Sequence, residues 1–274
     1  MTTPSTSGCG PTLAAGPDVV APHAIAPTAQ DPDAIIRDAI DVMRRNLRRR
    51  PSIRDIAESV ALSPYHFLRL FRNRTGITPG RFHAALKLQE AKRLLLETDQ
   101  TVATIAASLG CGSVGSFTTA FGRHVGCAPG IFRQRSAAMR PDCRWPVPLE
   151  PSSPPSGTVA CSLTGAVHGP AIVAAFPSRL AEGPPRACGF AHVPGVFAFA
   201  HPRLSALTLL AMQPGIGSGP AEFGWRLPRG THVGVCDLHA GQSSARIALR
   251  TVQPLDPPVL YAFHVAIGAA AGVA

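Results

Sequence analysis

Residues 53–82 read IRDIAESVALSPYHFLRLFRNRTGITPGRF, and residues 102–132 read VATIAASLGCGSVGSFTTAFGRHVGCAPGIF. Ile56, Ala57 and Ser59 recur 49 residues later as Ile105, Ala106 and Ser108. Ser63, Phe67, Phe71, Gly76, Pro79, Gly80 and Phe82 recur 50 residues later as Ser113, Phe117, Phe121, Gly126, Pro129, Gly130 and Phe132. Ten identities in one order are an internal repeat, beyond what biased composition produces. The change of offset places one extra residue in a turn between the matched segments, where insertions are tolerated.

Each unit reads as two short helices. Ile53, Ile56, Ala57 and Val60 fall at i, i+3, i+4 and i+7, as do Val102, Ile105, Ala106 and Leu109. Ser52 and Thr101 stand where N-caps belong, and Asp55 completes a Ser-x-x-Asp start signal. The second helix opens at Ser63 or Ser113, buries Phe67, Leu70 and Phe71 or Phe117, Ala120 and Phe121, and stops at Gly76 or Gly126. Two short helices joined by a tight turn form a helix-turn-helix. Between the units, Thr78-Pro79 starts a longer apolar-faced helix that runs to about Glu97. Roughly 20 residues at 1.5 Å each span about 30 Å, close to the roughly 34 Å between successive major grooves on one face of B-DNA.

From about Asp33 to Arg135 the chain resembles the DNA-binding domain of the AraC/XylS family of bacterial transcriptional regulators. The resemblance is carried by the first stretch above, by LKLQEAKRLLLETDQTVATIAASLG (86–110) and by SFTTAFGRHVGCAPGIFRQ (116–134). It implies a seven-helix domain with two helix-turn-helix units that binds double-stranded DNA at promoters, with RNA polymerase as a further possible partner. The second unit departs from the family pattern. Gly110-Cys111 stands where Gly-aromatic is usual, and Thr119 and Gly122 replace two basic residues; the first unit keeps both, as Arg69 and Arg72. The first recognition helix is therefore expected to dominate.

On that helix Tyr65, Leu68 and Arg69 form the stripe opposite the buried phenylalanines and are the candidates for base edges. Arg suits guanine, and Leu68 suits a thymine methyl. On the second helix the base-contact candidates are Ser116 and Thr119, which offer few donors. Ser63, Arg72, Arg74, Lys87 and Arg123 are the phosphate candidates, positioning without specifying.

Charge placement agrees. The chain of 274 residues has 24 Arg, 2 Lys and a net charge of +10. Residues 31–140 hold 18 basic and 9 acidic side chains, whereas residues 141–274 hold 8 and 6. A basic excess concentrated on one segment is the footprint of a polyanion partner.

The rest of the chain is read from composition. Residues 1–30, rich in Pro, Ala, Thr and Ser, read as a disordered tail, 31–138 as the double helix-turn-helix domain, and 139–157 as a Pro-rich linker. Residues 158–274 carry the apolar runs TVACSLTGAV, AIVAAFP, PRACGFAH, GVFAFA, SALTLLAM, THVGVC, ARIALRTV and VLYAFHVAIG. Their length and spacing suggest an all-β sandwich or barrel, with a sandwich-like domain expected. The expected fold class is thus multidomain, all-α followed by all-β. The second domain holds no phosphate loop and no nucleophile elbow. Its possible roles are a small-molecule effector site, homodimerisation or a contact surface for another protein.

Several functions are set aside. The longest apolar runs fall short of the ~20 residues of a membrane helix, and the start lacks the basic and apolar regions of a secretory signal. Seven cysteines without a CxxC pair read as reduced thiols in a cytoplasm. Cys236 and His239 have a metal-like spacing but no second close pair, so neither metal nor cofactor is expected. The alternative to a regulator is a DNA-repair alkyltransferase with a reactive cysteine. The Pro-Cys-His-Arg of such enzymes is absent, and the chain is read as a non-enzyme.

Overall fold

The computed structural model describes residues 31–49, 51–138, 158–200, 206–215 and 226–264. The tail expected at 1–30 and the linker at 139–157 lie outside the described residues. Seven helices come first: α1 (Pro32–Arg45), α2 (Ile53–Ser59), α3 (Pro64–Thr75), α4 (Pro79–Glu97), α5 (Val102–Ser108), α6 (Val114–Val125) and α7 (Pro129–Ala138). Their starts follow local chemistry. Ser52 closes a capping box with Asp55, its hydroxyl accepting from the Asp55 N–H at 3.1 Å while the carboxylate accepts from the Ser52 N–H at 3.0 Å. Ser63, Thr78, Thr101 and Ser113 likewise accept from the amide three residues on. Gly76 and Gly126 end α3 and α6 in the left-handed conformation.

The repeat is repeated packing. Phe67, Phe71 and Phe82 meet at ring-centroid distances of 5.5 and 5.4 Å, and Phe117, Phe121 and Phe132 at 5.8 and 5.7 Å. Edge and tilted ring contacts at this separation suit the aromatic quadrupole. The extra residue of the second unit is Gly112. Leu62 N–H donates to Ala57, and Cys111 N–H to Ala106, both at 2.9 Å, so the two turns correspond up to that point. Gly110 sits in that turn at φ +66, and a Cβ there would lie 2.1 Å from the Arg48 carbonyl oxygen, so only glycine fits.

Seven strands follow: β1 (Thr158–Gly165), β2 (Gly169–Phe176), β3 (Ala187–Val193), β4 (Gly195–Ala200), β5 (Leu207–Gln213), β6 (His232–Leu238) and β7 (Ser244–Thr251). They correspond to seven of the eight apolar runs. The β-rich region is as expected, but of the two arrangements the strands do not form a sandwich of facing sheets. All seven belong to one sheet ordered β3-β2-β5-β6-β7-β1-β4, antiparallel except for the parallel pair β1 and β7. Its two end strands are consecutive in the chain, joined at Val193-Pro194-Gly195, so the sheet curls round into a nearly closed barrel. Val159, Cys161, Val173, Leu209 and Ile247 fill the inside.

The eighth run, VLYAFHVAIG, is described only in part, and that part is not a strand. Its described part, residues 259–264, is a strap across the outer face of β2, β5 and β6. Ile172, Phe176, Leu210, Met212 and Val233 of that outer face form a second apolar layer with Phe263. This explains why β2 and β5 are solid apolar runs: both of their faces are buried. Leu180, Leu260 and Ala262 continue into the helical core itself.

Candidate nucleic-acid interface

Two geometries matter for a duplex partner: what each recognition helix exposes, and what fixes the distance between them. On α3, Phe67 and Phe71 point inward while Tyr65 and Leu68 stay 77% and 39% exposed. Arg69 and Arg72 are also exposed. A large aromatic left in water beside two guanidiniums is a surface suited to a partner. On α6 the corresponding surface is smaller. Val114 is 43% exposed, and the Ser116 hydroxyl turns back to donate to the Ser113 carbonyl at 2.9 Å. Thr119 is exposed.

The spacer is held at both ends. α4 has 19 residues, so it is about 28 Å long. Near its start, His83 Nε2 lies 3.3 Å from the Asn46 carbonyl after α1. At its other end, Arg133 of α7 donates to the carbonyls of Leu95, Thr98 and Gln100 at 2.9, 3.2 and 2.6 Å. These carbonyls lie at and beyond the C-terminus of α4, where a cation offsets the helix dipole. His83 and Arg133 occupy matching places in the repeat, so the helix that follows each helix-turn-helix pair is tied to the chain that precedes that pair.

The phosphate candidates divide by position. Ser63 caps α3, its oxygen accepting from His66 N–H at 3.3 Å, and Arg72 lies two turns further along. Arg74 and Arg123 sit in the last turns, roughly 15 Å from the first turns of their helices. Arg74 Nε lies 3.3 Å from Asp33 of α1, and Arg123 lies 3.3 Å from His124. Lys87 is half-buried on α4.

Those last turns of α3 and α6 face the sheet region, a junction that sequence reasoning missed. Glu182, in the loop after β2, reaches both units: its carboxylate pairs with Arg81 of α4 and, at 2.8 Å, with His124 of α6. Gly183 N–H donates to the His124 carbonyl at 2.6 Å, and Ala262 N–H to Val125 at 3.0 Å. The Tyr261 ring lies against Gly126, where a Cβ would fall 2.8 Å from it. Lys92 of α4 is 3% exposed and donates to the carbonyls of Val259 and Leu260, both at 3.4 Å. Burial pushes its ammonium down to about 7. A lysine inside the amphipathic pattern of a helix gives no sign in sequence of such burial.

Residues 56–135 match the family described as "Helix-turn-helix domain". That segment is similar to helix-turn-helix domains. Over 85 residues it is 38% identical to the "HTH-type transcriptional regulator Rv1931c" of Mycobacterium tuberculosis, covering 31% of this chain and 33% of that protein. Over 115 residues it is 30% identical to a "Putative AraC-like transcription regulator" of Streptomyces lividans, covering 42% and 38%. The chain thus spans about a third of the length of these relatives. A solved transcriptional regulator from Chromobacterium violaceum, described by its AraC-type DNA-binding domain, is 26% identical, with 38% and 92% covered and a TM-score of 0.37. Among the described residues no helix is long and apolar enough to cross a membrane, and no cluster of three metal-ligating side chains occurs.

Proposed function

We propose that this chain is a sequence-specific, DNA-binding transcriptional regulator of the AraC type, with α3 as the dominant reader. The observation that carries the reading is the pair of helix-turn-helix units joined by α4, 19 residues and about 28 Å long, with Tyr65, Leu68 and Arg69 exposed near the start of α3. Arg69 contacts a guanine, Leu68 a thymine methyl and Tyr65 a neighbouring base edge. Ser116 and Thr119 make the weaker contacts of α6, where shape contributes more than hydrogen bonding. Ser63, Arg72, Arg74, Lys87 and Arg123 meet phosphates. A mobility-shift assay on the full chain tests this. Binding should favour one upstream region over random duplex and weaken steeply with salt through counterion release. Equal binding to every duplex at every salt concentration would sink the proposal.

A further inference from the structure

A cavity of about 340 Å³ lies between the helical and sheet regions, within the size range of small-molecule sites. Its apolar walls are Leu210, Val233 and Val235 of β5 and β6, with Tyr261 and Phe263 of the strap. The charged groups around it are unequal: Arg44, Lys92, Arg179 and Arg226 against one carboxylate, Asp256. That carboxylate is engaged, accepting from both terminal nitrogens of Arg250 at 2.6 and 2.8 Å. Arg179 is held by Asp237 at 2.6 Å, and Arg44 lies 3.5 Å from Asp41.

Lys92 differs from its neighbours. It is almost wholly buried, and among the described residues no carboxylate pairs with it. An ammonium has three protons. Two go to the Val259 and Leu260 carbonyls over long distances, and the nitrogen lies 5.7 Å from the centroid of the Phe132 ring, which leaves one donor without a hydrogen-bond acceptor and no carboxylate to balance the charge. A buried cation in that condition is costly unless a counter-charge arrives. Its depressed proton affinity expresses the same cost.

We propose that this cavity binds a small organic anion, a carboxylate or sulfonate on an apolar, aromatic body, with the acidic group directed to Lys92 and the body against Leu210, Val233, Val235 and the Tyr261 and Phe263 rings. The occupant would touch α4, the spacer between the two helix-turn-helix units, and the sheet together. The proposal stands whether or not the chain binds DNA.

The test uses the full chain and two fluorescent probes of similar shape, anilinonaphthalene sulfonate, which is anionic, and N-phenylnaphthylamine, which is neutral. The anion should bind at one saturable site and at least tenfold tighter than the neutral probe. Lys92→Met keeps the apolar stem and removes the charge, and should weaken the anion at least fivefold while leaving the neutral probe unchanged. Val235→Trp, at a position 44% exposed on the cavity wall, should abolish both signals by filling the space. Val196→Ser, on β4 and outside the cavity, should change neither. Equal affinity for the two probes would overturn the proposal, as would full anion binding by Val235→Trp or an equal loss in Val196→Ser. If Lys92→Met fails to fold, the probe pair and the two valine variants still decide.

Discussion

Replacing Lys92 with Met should change how stability depends on pH, and the sign follows from burial. In the unfolded chain the lysine titrates near 10.5, whereas in the folded protein it titrates at about 7. Between those values the unfolded chain binds more protons, so folding stability rises with pH through this window. Below about 7 both states are protonated and the full cost of the buried charge is present; above about 10.5 it is gone. The separation corresponds to a cost on the order of 5 kcal/mol, at 1.36 kcal/mol for each unit. Loss of two long hydrogen bonds to carbonyls offsets part of the gain on substitution, by about 1 kcal/mol each. Urea unfolding of wild type and Lys92→Met between pH 7.5 and 9.5 isolates the effect, since groups that do not interact with Lys92 cancel in the difference; Cys127, which does, is replaced by Ser in both proteins. The stability gap between the two proteins should shift by about 1 kcal/mol for each pH unit, in favour of wild type as pH rises. A gap that stays constant across the window would mean that Lys92 titrates normally, and the account of its burial would be wrong.

Three further outcomes are expected. Phe121→Ala removes a fully buried ring that touches both Phe117 and Phe132, and should cost roughly 3–5 kcal/mol by denaturation. Glu182→Gln weakens the pairs to Arg81 and His124; with Arg81 nearly half exposed, the loss should be only about 1 kcal/mol, seen as faster hydrogen exchange at the Gly183 amide. Incubation with alkylated DNA should add no mass at Cys127 or Cys161, read by peptide mass mapping, because burial pushes both thiols up, the latter to about 12, and thiolate is the nucleophile.

What the sequence made legible was local. The N-caps at Ser52, Ser63, Thr101 and Ser113 act within three residues, so side-chain type and spacing were enough to find them. The bounds of α4, opened by Thr78-Pro79, were readable for the same reason, and the doubled phenylalanines appear directly as the repeat. The charged and aromatic surface of α3 followed once the inward face was known. Long-range pairing was not readable. Nothing near Glu182 in the chain points to Arg81, 101 residues away. The parallel pairing of β1 with β7, which helps the sheet curl into one barrel instead of two facing layers, likewise has no local signal. The run at 259–264 has the composition of a strand but serves as a strap, because the outer face of β2, β5 and β6 needs an apolar cover. Lys92 carries no local sign of burial, because what encloses it, the strap carbonyls and the Phe132 ring of α7, comes from distant parts of the chain.

The claim that α3 reads sequence is tested most directly by titrating wild type, Arg69→Ala and Thr119→Ala against the preferred upstream duplex and a scrambled one at two salt concentrations. Wild type should prefer the first duplex. Arg69→Ala should lose roughly 1–3 kcal/mol on it and relax its specificity at one base pair, with little change on the scrambled duplex. Thr119→Ala should lose less. A larger loss for Thr119→Ala than for Arg69→Ala, or a wild type indifferent to sequence, would contradict the account.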